Sequence, residues 1–392
     1  MAAESTKPAV LIIGGLGFIG RHLALHIHNN NLASDLRIVD KLLPQLAWLA
    51  PEFTEAFAQD RFVQADASRE QSFPRVFDRA NGAQFDYVLN CGGESRASQA
   101  EDVYRLRSHA LSVALGKESA RRGVKAFIEC STATVYSEAR GKPKKESDKL
   151  EPLFKLSKWK LTAEDDLRKI PGLNVCILRL PQVYGEYDTG FLTSGICLAR
   201  THKELGKPLL FPYEKKQAMN TVYIGDAVRA LWTAAEWRAS KGPAAVSSSS
   251  SSSPPSSSQD SPPEFPIIFN IVDHNNTLKG DFADALGKAF DIKCEFLGSL
   301  KTMAIKLKQD ELLDEMNEES LEVWSEIIQK KAITRPGPIS PFLEKDVFKN
   351  LDLCVDGALF EQTTGFKYLK ETPDPDWIES IVKSYERMGW WP

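Results

Sequence analysis

One stretch near the start of the chain, "VLIIGGLGFIGRHLALHI", restricts the possible folds more than any other. It places Gly14, Gly17 and Gly20 between an apolar run typical of a buried strand and a helix with one apolar face. In a strand–turn–helix unit this spacing allows a tight turn, a close approach of the backbone to a diphosphate and close packing of helix on strand. The diphosphate would lie at the helix N-terminus, where unpaired amides attract anions. We therefore predict a dinucleotide site with contacts from Gly14, Gly17, Phe18, Ile19 and Gly20.

An acidic residue follows at the distance that such a site requires. Asp40 closes the apolar run "LRIVD", twenty residues after Gly20. A carboxylate at this place accepts hydrogen bonds from the ribose hydroxyls of NAD and repels the additional phosphate of NADP. Lys41 offsets part of that repulsion, and on balance the sequence predicts NAD as the cofactor.

The pattern of apolar runs predicts the fold class. Runs such as "RFVQAD", "YVLNCGG", "AFIECST" and "NVCILRL" alternate with helical stretches up to about residue 240. Continuous Val, Ile and Leu runs separated by helices are typical of a parallel sheet that is buried on both faces. The expected fold is α/β, a doubly wound parallel sheet of the Rossmann type with a smaller C-terminal substrate lobe.

The expected domain boundaries follow from the same pass along the chain. The Ser/Pro-rich stretch at 243–265 cannot bury apolar surface, so we expect a disordered insertion there. The dinucleotide-binding domain is expected at 8–182, with return segments near 218–240 and 267–273, and the substrate lobe at 183–217 and 274–392.

Strand ends in an open parallel sheet face the ligand, so residues at those positions are candidate contacts. Asp66 and Ala67 follow the third apolar run, and Cys91, Gly92 and Gly93 follow the fourth. The small residues at 92 and 93 suit a close approach of the backbone to the cofactor. For Asp66, a helix N-cap is an equally good interpretation.

Composition excludes several classes of function. The formal net charge is −4 and the Lys and Arg residues form no stripe, so neither nucleic acid nor an anionic membrane surface is expected as a partner. The six cysteines lie far apart, which indicates a reducing compartment and no zinc site. Because we find no run of eighteen apolar residues and no secretion signal, we expect a cytoplasmic protein with a small-molecule substrate.

These motifs resemble the extended short-chain dehydrogenase/reductase family, the NAD-dependent epimerase/dehydratase group. The resemblance rests on "GGLGFIG", Asp66, "VLNCGG", "ECSTATVY", "SKWKLTAE", "LRLPQVYGE" and "NTVYIGDAVRAL", which occur in that family's order between residue 10 and about 235. It implies NAD as cofactor and an alcohol or carbonyl compound as substrate, such as a nucleotide sugar or a sterol. It also makes a homodimer possible.

The resemblance implies roles for individual residues. Thr132 matches the Ser or Thr that polarises the substrate oxygen, and Lys158 matches the Lys that binds the nicotinamide ribose. Pro181 and Val183 fall in the loop that shapes the pocket beside the cofactor. The Tyr that moves the proton stands four residues before the Lys in this family, and here that position is Phe154. None of the nine tyrosines has a Lys four residues later.

Two hypotheses follow from the missing phenol. In the first, the chain is an oxidoreductase or epimerase whose proton passes through water, His109, Glu94 or the substrate. His109 matches a position where the family has Asn, and a packed structural imidazole is the simpler interpretation of it. Glu94 follows the "NCGG" turn and is either a carboxylate base or a solvated loop residue. In the second hypothesis, the chain is a catalytically inactive NAD-bound scaffold or a sensor of the NAD/NADH ratio.

Overall fold

The computed structural model describes residues 7–139, 141–242, 265–296, 309–345 and 351–392. The insertion predicted at 243–265 lies outside the described residues except for Phe265. Within the described part, no helix combines the length and the apolar composition that crossing a bilayer requires.

Seven strands of the described chain form one parallel sheet in the order β10-β6-β5-β4-β1-β2-β3. The strands of the chain are β1 Ala9–Ile13, β2 Asp35–Asp40, β3 Phe62–Gln64, β4 Tyr87–Asn90, β5 Ala126–Thr132, β6 Val175–Leu180, β7 Gln182–Tyr184, β8 Leu209–Phe211, β9 Thr221–Tyr223, β10 Ile268–Asn270 and β11 Cys294–Phe296. The order reverses between β1 and β4, which are neighbours in the sheet, and this switch point opens a crevice at the carboxyl ends of the strands. The prediction of a doubly wound parallel sheet is confirmed.

Helices cover both faces of the sheet. The helices are α1 Phe18–Asn29, α2 Phe73–Phe77, α3 Glu101–Tyr104, α4 Leu111–Arg121, α5 Lys155–Leu167, α6 Phe191–Leu205, α7 Ile224–Ser240, α8 Lys279–Phe290, α9 Gln309–Lys330, α10 Ala358–Thr364 and α11 Trp377–Arg387. Helices α1 and α7 pack on one face, and α2, α4 and α5 pack on the other. A π-helical turn, Arg105–Ala110, joins α3 to α4.

A second hydrophobic core lies in the C-terminal part of the chain. It joins α6, α8, α9 and α11 with the short strands β8 and β11, which pair with each other. The aromatic end of the chain belongs to this core, since Trp377 and Trp390 are buried. The C-terminal helix therefore docks on the body of the protein, as its apolar stripe predicts.

A buried carboxyl group lies where the chain passes from β7 into α6. Asp188 is 2% exposed, and its Oδ1 accepts a hydrogen bond from the Gly190 amide at 2.8 Å. Its Oδ2 is buried and has no hydrogen-bond partner among the described residues. The Tyr385 hydroxyl of α11 donates to the Asp188 backbone oxygen at 2.8 Å. Burial raises the pKa of the Asp188 side chain to about 7, so the folded state favours the neutral acid.

We expect Asp188→Asn to remove a pH-dependent loss of stability. Between about pH 4 and pH 7 the unfolded chain releases the Asp188 proton and the folded chain keeps it, so the free energy of unfolding falls as pH rises. Asn does not titrate, so the variant gains about 2 kcal/mol relative to wild type between pH 5.5 and pH 8. Urea unfolding of both proteins at the two pH values measures the difference, and a pH-independent difference would contradict the expectation.

Candidate functional site

The backbone of the glycine-rich turn touches the end of β4. Gly14 has φ +71°, and a Cβ placed on it would lie 2.6 Å from Gly92 Cα. A Cβ on Gly20 would lie 2.3 Å from the Gly14 carbonyl oxygen. A side chain on Gly14 would push the turn away from the end of β4, and one on Gly20 would push α1 away from the turn, so the glycines allow both close approaches. The arrangement fits a dinucleotide that passes close to backbone.

The start of α1 offers free amide groups to an anion. Gly17 is the N-cap of the helix, and among the described residues no side chain caps it. Phe18 and Ile19 follow in the first turn, which contains no acidic residue. Such a terminus attracts a diphosphate through its amides and the helix dipole.

Asp40 is fixed beside this turn. Its Oδ2 accepts a hydrogen bond from the Leu16 amide at 3.0 Å, and its Oδ1 accepts one from the Leu42 amide at 3.1 Å. The carboxylate is therefore held at the end of β2, next to the glycine-rich turn. This is where an adenosine ribose would meet it.

The other predicted strand-end contacts lie at the same edge, but their side chains differ in what they offer. Asp66 accepts hydrogen bonds from Ser68 and pairs with Arg69, so it closes a turn after β3 and caps no helix. The Ala67 side chain is buried in the sheet core. Cys91 Sγ lies 3.6 Å from the sulfur of Cys130 on the neighbouring strand.

Pro181 and Val183 mark the point where β6 passes into β7. The Val183 side chain packs on the sheet core, and β7 pairs with β9. The role of both residues as cofactor contacts stays a prediction.

Thr132 lies at the carboxyl end of β5 and begins a chain of hydroxyl groups. Its Oγ1 is 2.8 Å from Thr134 Oγ1 and accepts a hydrogen bond from the Thr134 amide at 3.2 Å. Thr134 Oγ1 in turn lies 2.5 Å from the hydroxyl of Ser157, which is fully buried in the first turn of α5. The Thr132 hydroxyl is therefore held in place and could donate to a substrate oxygen.

The structure places the Lys160 side chain at the strand ends and the predicted Lys158 side chain on the surface. The Lys158 side chain is 63% exposed and pairs with Glu101 at 3.2 Å on the surface. The Lys160 side chain is 11% exposed, and its Nζ donates to the Cys130 carbonyl oxygen at 2.7 Å. A Cβ on Gly93 would lie 3.5 Å from Lys160 Nζ, which places the ammonium between the carboxyl ends of β4 and β5.

Helix periodicity explains the different positions of the two lysines. Ser157, Lys160 and Glu164 follow one another at three and four residues, so they share the buried face of α5, whereas Lys158 lies on the opposite side. Glu164 anchors that face through a buried ion pair with Arg179 of β6, with Nη2 to Oε2 at 2.6 Å. The signal that could have identified the lysine is therefore its spacing of four residues before an inward-facing Glu.

The family's tyrosine stands four residues before its lysine, so the position to compare depends on which lysine is counted from. Four residues before Lys160 stands Leu156, on the same side of the helix, and not Phe154. Phe154 is the N-cap of α5 and packs against the small hydrophobic cluster that contains Val135 and Leu353. Neither lysine has a Tyr four residues before it, since Phe154 precedes Lys158 and Leu156 precedes Lys160.

The His109 side chain packs against α5, and its neighbour Ser108 lies beside Gly93. His109 Nε2 lies 2.8 Å from Asp166 Oδ2, and its ring packs 5.7 Å from that of Trp159, so it joins the π-helical turn to α5. The structure therefore gives no support to His109 as a proton relay and fits the structural interpretation. The residue that faces Gly93 is Ser108, whose Oγ lies 3.5 Å from where a Cβ would be. A π turn shifts the register by a fraction of a turn, which counting along an α-helix misses.

Glu94 is held by two arginines. Arg96 binds it in a bidentate manner at 2.8 and 2.9 Å, and Arg107 adds a contact at 2.9 Å. Burial alone would raise its pKa, but the hydrogen bonds from Arg96 and Arg107 lower the pKa of Glu94 to about 2. A carboxylate of that pKa is a poor base near neutral pH, so neither of the two earlier interpretations of Glu94 holds.

The sequence of the described site matches one protein family. Residues 10–246 match the NAD dependent epimerase/dehydratase family. Among curated proteins, the chain is 28% identical over 216 residues to UDP-glucose 4-epimerase 2 of Oryza sativa subsp. japonica, which covers 50% of this chain and 51% of that protein. It is 30% identical over 202 residues to a probable UDP-arabinose 4-epimerase 3 of Arabidopsis thaliana, covering 48% and 47%. The chain spans about half the length of the curated relatives it matches.

Solved structures share the fold over nearly the whole chain. MoeE5 in complex with UDP-glucose and NAD superposes with a TM-score of 0.63 at 16% identity, covering 97% of this chain and 99% of that one. WbmG of Bordetella bronchiseptica in complex with NAD and UDP gives 0.62 at 13% identity, covering 100% and 98%. At these identities the likeness shows the fold alone.

A pair of substitutions in α5 tests which lysine serves the site. We expect Lys160→Met to weaken NADH binding roughly tenfold or more, because one charge-assisted hydrogen bond is lost. Lys158→Met, two residues away on the exposed side, should leave the dissociation constant unchanged. Calorimetric titration of both variants measures the effect, and thermal unfolding checks that each is folded. Equal weakening by the two substitutions, or weakening by Lys158→Met alone, would contradict the assignment.

Proposed function

Because the chain belongs to the NAD dependent epimerase/dehydratase family, we propose that it binds NAD at the carboxyl edge of the sheet and epimerises a nucleotide sugar. This membership confirms the resemblance found in the sequence, and the family is NAD-dependent. The substrate class comes from the curated relatives, which are UDP-sugar 4-epimerases. The observation that carries the proposal is the placement of the Thr132 hydroxyl and the Lys160 ammonium at adjacent strand ends.

Each half of the cofactor has a set of residues to hold it. The amides at the start of α1 receive the diphosphate, and Asp40 receives the adenosine ribose. Lys160 lies on the far side of the switch point, where the nicotinamide ribose would be. When bound, NAD supplies the hydride acceptor for the sugar carbon.

The protein's own contribution is to orient and polarise the sugar. The Thr132 hydroxyl, fixed by Thr134 and Ser157, donates a hydrogen bond to the sugar oxygen that becomes a carbonyl. That bond strengthens as negative charge develops on the oxygen. Nearby, the ammonium of Lys160 adds a positive charge at the same edge.

A second candidate function has a specific observation in its favour. Leu156 cannot exchange a proton, so a catalytically inactive NAD-bound scaffold or redox-ratio sensor would account for it directly. This candidate predicts tight NAD and NADH binding with no conversion of any sugar nucleotide.

The first experiment separates the two functions. We expect the purified chain with NAD to convert UDP-glucose, UDP-galactose or UDP-arabinose to its 4-epimer, as measured by chromatography of the sugar nucleotides. Thr132→Ala should lower the rate roughly a hundredfold, because a hydrogen bond made in the transition state is lost. Thr132→Ser keeps the hydroxyl and should retain most of the activity. Bound coenzyme without any epimer formed would favour the scaffold.

A second experiment restores the phenol at two alternative positions. Leu156→Tyr places a Tyr four residues before the buried lysine, and we expect it to raise turnover by roughly a hundredfold, the usual contribution of a positioned acid–base group. Phe154→Tyr places the phenol four residues before the exposed lysine and should give no gain. The reverse outcome would mean that the site uses the other register of α5.

A further inference from the structure

A carboxyl group lies directly beneath the proposed catalytic edge. Glu129 stands in the middle of β5, in a parallel strand that is otherwise apolar or small, and it is 1% exposed. Its Oε2 accepts a hydrogen bond from Asn90 Nδ2 at 2.6 Å, and its Oε1 accepts one from the Ser112 hydroxyl at 2.9 Å. Lys160 Nζ donates to the same Oε1 at 3.2 Å. A charged side chain in such a strand is rare unless it is paired.

The surroundings of Glu129 contain one cation among its described contacts, Lys160. From β4, the neighbouring titratable group is the Cys91 thiol, whose pKa is raised well above its ordinary value by its hydrogen bond with Cys130 and by burial, so it stays neutral. Asn90 and Ser112 do not titrate. Burial also raises the pKa of Glu129, which brings its protonated form closer to neutral pH.

Lys160 links this buried group to the crevice. Its Nζ touches Glu129 on one side and the Cys130 carbonyl oxygen on the other, beside Gly93 at the end of β4. The adenosine half of a dinucleotide lies at the β2 side of the switch point, so the nicotinamide half lies over β4 and β5. The ammonium therefore separates Glu129 from the place where the sugar would react.

We propose that Glu129 stores the proton that the sugar hydroxyl releases and exchanges it through Lys160. The inference rests on the proposed function. Glu129 would act on the sugar only through Lys160, so it is a positioning residue. When the sugar loses a hydride to the nicotinamide, its hydroxyl loses a proton toward Lys160. Lys160 passes one of its own protons to Glu129, which leaves an ammonium, a carboxylic acid, a sugar ketone and a reduced coenzyme. The reverse steps return the hydride and the proton, so the cycle closes without a net gain or loss.

This arrangement suits epimerisation better than net oxidation. An epimerase returns the same proton at the end of each cycle, so a store closed to solvent is sufficient. A dehydrogenase must release its proton to water in every turnover. Glu129 is 1% exposed and its contacts are all internal, which fits the closed store.

Coenzyme binding tests the store without any substrate. An ionised Glu129 favours the cationic nicotinamide of NAD over the neutral ring of NADH, because the charges attract across a buried site. For wild type we expect the ratio of the dissociation constants, NAD over NADH, to fall by about tenfold as rising pH ionises Glu129. Glu129→Gln keeps the shape and cannot hold a proton, so its ratio should be flat. Glu118→Gln, which changes a partly buried carboxylate bound by Arg121 and Arg122 on α4, should behave as wild type.

A spectroscopic measurement on the wild type tests the proton store independently of coenzyme affinity. The infrared difference spectrum between the NADH and NAD complexes should contain a carbonyl band of a protonated carboxyl group, and Glu129→Gln should lack it. The absence of this band in wild type, or an unchanged pH dependence in Glu129→Gln, would overturn the proton store. Failure of wild type to bind either coenzyme would instead contradict the proposed function, so the two failures are distinguishable.

Discussion

The contact between two backbones at the switch point determines the rest of the site. A Cβ on Gly14 would lie 2.6 Å from Gly92 Cα, so Gly14 can carry no side chain at this contact. This contact lets the turn before α1 and the end of β4 form one continuous floor. Asp40 lies beside the glycine-rich turn on one side of this contact and Lys160 lies beside Gly93 on the other, so each can serve one half of the same dinucleotide.

Much of the fold could be predicted because its signal is local. A strand buried on both faces must be apolar throughout, so β1, β4 and β6 can be recognised from the sequence without knowledge of their partners. The short strands β7 to β9 and β11 have only three residues each and no periodic pattern, and their pairing depends on the lobe into which they fold. The contacts of Ala139 and Lys144 with residues 352–356 depend equally on tertiary structure, since Lys144 pairs with Val355 across more than two hundred positions.

The candidate site could be predicted from the sequence where the position of the backbone determines the contact. It was harder to predict where the direction of a side chain determines the contact. Gly14 and Asp40 are fixed by a turn and a strand end, so their spacing identifies them directly. Lys158 and Lys160 are both lysines in one helix, and a two-residue difference turns the side chain by about 200°. The motif "SK" favoured the first, whereas the ion pair between Glu164 and Arg179, which sets the rotation of α5, became visible only in three dimensions.

The loss of the phenol and the presence of the buried carboxyl can be understood together. A tyrosine at position 156 would place a phenol beside the Lys160 ammonium on the crevice side. That phenol could gain and lose a proton. With Leu156 there, the only described acidic group in contact with that ammonium is Glu129, from below the sheet edge. A buried ammonium without any titratable partner could stabilise a bound ribose. It could not relay a proton, because no neighbouring group would accept the proton that it gives up. Glu129 is that acceptor. In this chain the proton transfer for which the family uses a phenol would therefore depend on a residue of β5 and not on a residue of α5.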